Sequence, residues 1–113
     1  MAKASKETRI KRETARLHVI FQDLDKNKLE VVEALIARAA YITVSLEDLE
    51  KEIDETGFTE TYSNGKDQSG VKQSAAAALH VSMTKNLTAI MKQLIDLTPT
   101  AKKGGKLEEM MGK

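Results

Sequence analysis

Apolar residues in the chain recur at helical spacing in three separate stretches. Ile10, Leu17, Phe21 and Leu24 form the first, with Arg9, Arg12 and Arg16 clustered on a different side. Ser5 stands where a helix N-cap belongs. Asp25 and Asn27 favour a turn after this short helix, and Asn27 with Glu30 three positions on resembles a capping box for the next. From Leu29 to about Thr56 the apolar series is Val32, Ile36, Ala39, Ile42 or Thr43, Leu46, Leu49 and Ile53, in steps of three and four. Gly57 then supplies a residue that tolerates a left-handed C-terminal cap. The third series, from Val71 onward, is Ala76, Leu79, Met83, Leu87, Ile90, Leu94 and Leu97, and Pro99 forces that helix to end.

Between the two long series lies GFTETYSNGKDQSG, residues 57–70, whose glycines and Asn64-Gly65 predict a loop or small hairpin. The pattern therefore predicts an all-α fold: a short helix within 1–28, a long antiparallel helical hairpin over 29–98 with its loop at 57–70, and a flexible tail at 99–113. At a rise of about 1.5 Å per residue the two long helices should match at about 40 Å each. The seam residues Val32, Ile36, Leu46, Leu49, Ile53, Leu79, Met83, Leu87, Ile90 and Leu94 are the expected hairpin core. Val31, Leu35, Tyr41, Val81, Met91 and Ile95 lie off that seam, so pairing leaves apolar surface for self-association; the alternative is a closed three-helix monomer.

Composition narrows the class. With 113 residues, two Phe, two Tyr and no Trp, the core must be small and aliphatic. No cysteine is present, which excludes disulfides and thiolate metal sites and predicts an intracellular protein. No apolar run is long enough to cross a bilayer, so membrane partners are not expected. The net charge of +1 conceals three blocks. Residues 1–28 carry eight Lys/Arg against four acids, 29–61 two against nine, and 62–113 eight against four, giving +4, −7 and +4. Such asymmetry means either separate partners for separate faces or an internally salt-bridged bundle.

Catalytic chemistry is not found. His18 and His80 are 62 residues apart, show no metal-ligand spacing, and read as helix-surface or boundary residues. Around Asp23, Asp25 and Asn27 a calcium loop fails, because Lys28 and Ala34 occupy the positions of its glycine and bidentate glutamate. Gly65-Lys66 lacks the following Ser or Thr of a phosphate loop, and the acids of 45–55 read as a solvated helix face. No cofactor and no metal are expected. The first helix carries Lys6, Arg9, Lys11, Arg12 and Arg16, five cations suited to phosphate contact, which makes double-stranded DNA the candidate ligand; the alternatives are a solvated amphipathic surface helix and a membrane-surface helix, the latter weakened by the absence of Trp and by Glu7 and Glu13.

The segment from about residue 30 to 103 resembles the phage terminase small subunit family, in which a helical hairpin closes on a Leu-Thr-Pro signature. The matching residues are Gly57 before the loop, Lys72 at the start of the second long helix, Leu97, Thr98 and Pro99 at its end, and Lys102 beyond. Asp96 stands where that family usually has glycine. The resemblance implies a non-catalytic component of viral DNA packaging in the host cell cytoplasm. It would assemble as a ring-like homo-oligomer, bind double-stranded viral DNA, and regulate the large subunit that holds the ATPase and nuclease. The 28 residues before the long helix are too few for a three-helix DNA-binding domain, which leaves the basic helix or ring-lining lysines as DNA contacts. The Met-containing tail KLEEMMGK is a candidate for docking the large subunit. Two other readings stay open: a helical scaffold or adaptor without DNA binding, and a dimeric DNA-binding regulator.

Overall fold

The computed structural model describes residues 4–22, 24, 26–63, 65, 68–99 and 109–110. In chain order these form α1 (Lys6–Ile20), a 3-10 turn (Lys26–Lys28), α2 (Leu29–Thr56), β1 (Thr59–Ser63), β2 (Ser69–Gln73) and α3 (Ala75–Asp96). The fold is thus not purely helical. The stretch expected as a loop or small hairpin is a two-stranded antiparallel sheet, paired from Thr59↔Gln73 to Ser63↔Ser69, which overturns the all-α class. Thr59, Thr61, Tyr62 and Val71 are β-formers flanking a turn, and the sheet takes Val71 to Gln73 from the expected helix. As a result α3 has 22 residues against 28 in α2, about 33 Å against about 42 Å, so the rods are unequal. A ring is not shown.

Local chemistry sets the helix ends. Ser5 caps α1, its Oγ accepting from the Thr8 N–H at 3.1 Å. Ser74 caps α3 in the same way through the Ala77 N–H, also at 3.1 Å. The expected cap at Asn27 is displaced: Asn27 lies in the 3-10 turn, and Lys28 precedes α2 without a side-chain cap. Gly57 ends α2 at φ 92° and ψ 168°. Its φ is positive as expected, but its ψ is extended, so the chain leaves directly into β1 instead of closing a left-handed cap. At the end of α3 the buried Thr98 donates from Oγ to the Leu94 carbonyl at 3.0 Å, and Pro99 follows.

Both α1 and α3 pack on α2. The main core joins all three helices at the end where α2 begins, with Leu17, Ile36 and Leu94 fully buried and Ile20, Phe21, Val32, Ala39 and Ala40 around them. Each of the Leu, Ile, Val and Phe side chains contributes about 1.5–3 kcal/mol on leaving water, and the alanines less. A second, smaller cluster of Ile53, Ala76 and Ala77, with Leu49 against it, lies at the far end. Of the expected seam, Val32, Ile36, Leu46, Ile53 and Leu94 are buried, while Leu49, Met83, Leu87 and Ile90 are half-buried. Leu79 is the exception, half exposed at 50 %. It borders an open hollow that Lys6 of α1, Leu49 of α2 and Met83 also line. The molecule is elongated, 62 × 35 × 25 Å with a radius of gyration of 18.1 Å, against about 13 Å for a compact domain of this size.

Candidate nucleic-acid interface

Helical spacing puts Arg9, Arg12 and Arg16 on one side of α1, with Lys11 between a quarter and a half turn from each. Packing of α1 against α2 then divides the five cations. The Arg9 guanidinium spans to α2, donating to Asp48 Oδ1 at 2.7 Å and Glu47 Oε1 at 2.8 Å. Those hydrogen bonds, Asp48 first, raise its pKa above the ordinary arginine value. Arg16 forks onto Glu13 one turn back, at 3.0 and 2.9 Å, and its pKa is raised for the same reason. Lys6 holds its ammonium 4.6 Å from the centre of the Tyr41 ring, a cation–π contact worth about 0.5–1 kcal/mol. Lys11 and Arg12 are exposed and form no ion pair among the described residues.

The acids of α2 are therefore more than a solvated face. Glu47 and Asp48 fix the start of α1, Glu33 lies 3.3 Å from His18, and Glu50 lies 3.0 Å from His80. Each histidine is half-buried beside an α2 glutamate. The alternation of charge blocks carries this signal, since a −7 stretch between two +4 stretches suits a middle helix flanked by two others.

A second surface feature lies between α2 and α3. A groove lined by Arg38, Ile42, Asn86, Ala89 and Ile90 meets a hollow lined by Ser45, Leu49, Leu79 and Met83, and Tyr41 borders both. Ser45 Oγ is buried there without a hydrogen-bond partner among the described residues. Of the off-seam residues, Val31, Tyr41 and Val81 are exposed, whereas Leu35, Met91 and Ile95 pack against the main core.

The family-signature positions are spread along the rod. Gly57 joins α2 to β1, Lys72 lies exposed in β2 with its ammonium 4.0 Å from Glu60, and Leu97, Thr98 and Pro99 close α3 at the opposite end. Asp25, Asn64, Lys66, Lys102 and most of the tail lie outside the described residues. Within the tail, Met110 is partly buried against the main core.

Among the described residues no group of three or more His, Asp or Glu side chains is placed to hold a metal ion. Nor is any described helix long and apolar enough to cross a membrane. Comparison with protein-family models, curated proteins and solved structures finds no match for the chain.

Proposed function

We propose that the chain is a phage terminase small subunit, a non-catalytic component that binds double-stranded viral DNA and regulates the ATPase/nuclease large subunit in the host cell cytoplasm. The observation that carries this reading is an open helical hairpin. Two long antiparallel helices close on Leu97, Thr98 and Pro99 and leave Val31, Tyr41, Leu79 and Val81 exposed along their length. Such a hairpin is suited to covering by further copies of the chain. Lys11 and Arg12 are the cations of α1 best placed for phosphate, because Arg9 and Arg16 are engaged by carboxylates.

The test is binding of the full chain to a short duplex across a salt series. Affinity should fall with salt, by a slope of about 0.9 for each phosphate neutralised. Changing Lys11 and Arg12 together to Ala should reduce that slope by about two. Changing Arg9 and Arg16 instead should leave it nearly unchanged. Light scattering should give a mass above the 12.5 kDa chain. Duplex binding that is absent or indifferent to salt would remove the DNA role. The commitment of Arg9 and Arg16 to internal carboxylates favours a second reading, a self-associating helical scaffold without DNA binding, which predicts that same indifference.

A further inference from the structure

The sheet at the tip is a pair of strands with no third strand on either edge among the described residues. Every residue of β1 is exposed, and in β2 only Gly70 is partly covered. Two strands alone are marginally stable in water. The pairing phase follows from one bond beyond the ladder, the Ser74 N–H donating to the Phe58 carbonyl at 2.8 Å. Hydrogen-bonded pairs alternate in an antiparallel ladder, so Glu60–Lys72 and Tyr62–Gly70 exchange bonds inward. Thr59, Thr61 and Ser63 therefore turn their N–H and C=O groups away from β2, and no described group meets them.

Natural edges are usually blunted by proline, a bulge or a charge pointing along the edge. Here β1 reads Thr-Glu-Thr-Tyr-Ser without proline or bulge, and its only charged side chain, Glu60, reaches back toward the Ala75 N–H at 3.1 Å and toward Lys72. The helix end that leads into β1 is acidic. The last turn of α2 holds no basic residue, and Asp54 and Glu55 form no ion pair among the described residues. Carboxylates at the negative end of a helix dipole are unfavourable unless a cation joins them.

We infer that the outer edge of β1 accepts an extended basic segment of a partner protein as a third strand. Main-chain bonds to Thr59, Thr61 and Ser63 give the attachment, and Asp54 and Glu55 select for Lys or Arg at its end. The inference is independent of the DNA-packaging reading.

The probe is a fluorescein-labelled peptide, Lys-Val-Thr-Val-Lys-Val-Thr-Val-Lys, titrated into the full chain and compared with the same peptide carrying Glu for Lys. The basic peptide should bind about tenfold or more tightly than the acidic one, and should slow amide exchange at Thr59 and Thr61. Thr61→Pro removes an outward N–H without touching the inward ladder, and should weaken binding about tenfold, whereas Thr61→Val should retain it. Exchange at Thr61 unaltered by about 1 mM peptide, or equal binding by Thr61→Pro, overturns the proposal. A smaller mass for Thr61→Pro in light scattering also overturns it, because the edge would then be filled by a second copy of the chain.

Discussion

The two ends of α2 are held by different amounts of protein. At its beginning, three helices meet around Leu17, Ile36 and Leu94, one large side chain from each. At its other end, Ile53 faces the small residues Ala76 and Ala77, and the sheet beyond is almost wholly exposed. One helix resting on another makes a contact, while a third helix over the same spot makes a core. Stability should accordingly be graded along the rod, with the tip opening first.

The largest expected effect lies at the base. Leu94→Ala or Ile36→Ala should cost about 2–5 kcal/mol, because the hole they leave is walled by three helices. Ile53→Ala at the tip should cost about 2 kcal/mol or less, since solvent and flexible neighbours can fill the space. Denaturant midpoints at a fixed protomer concentration, with unchanged slopes, would measure both. Equal losses at the two ends would remove the gradient.

Much of the base was legible in the sequence. The spacing from Val32 to Ile53 gives α2 with its bounds, Ser5 gives the start of α1, and Pro99 gives the stop after α3. What periodicity could not supply was the third dimension. Leu79 continues the α3 seam without a break, yet it is half exposed beside an open hollow between the helices. At the tip the turn residues pointed to a loop or small hairpin but not to the extent of the strands: Thr59 to Gln73 carries strand propensity on polar residues, and with no buried face there is no apolar alternation to reveal it. In the candidate interface, residue type placed five cations on α1, but only packing shows that Arg9 belongs to Glu47 and Asp48. The acidic composition of 29–61 held the clue, as a helix negative on two sides needs positive neighbours.

A middle-sized effect should come from the junction of α2 with the sheet. Gly57 adopts φ 92° and ψ 168°, a region nearly closed to other residues. A Cβ there would meet no atom within 4 Å. Gly57→Ala therefore isolates backbone strain from crowding, and should cost about 1–3 kcal/mol. Amide exchange should speed up in β1 and β2 and stay unaltered around Ile36. If protection at the base fell equally, the two ends would be one cooperative unit.

The smallest effect belongs to Arg9, where the fork is short but the setting is wet. Its side chain is 29 % exposed, and Glu47 and Asp48 are more open still, at 57 % and 46 %. Solvent screening limits such a link, so Arg9→Ala should cost about 0.2–1 kcal/mol. The pKa of Arg9 is raised by folding, so its contribution is fully present below the ordinary arginine value and is lost only as pH rises through the raised one. The arginine itself thus brings no pH dependence to the usual range, and salt is the sharper probe. If the fork acts through charge, the difference between Arg9→Ala and the native chain should shrink as ionic strength rises. A difference that salt does not alter would mean that the arginine stem packs on α2 and the carboxylates are incidental. That result would free Glu47 and Asp48 for another cation and leave the N-terminal part of α1 held by Ile10 and the contact of Lys6 with Tyr41.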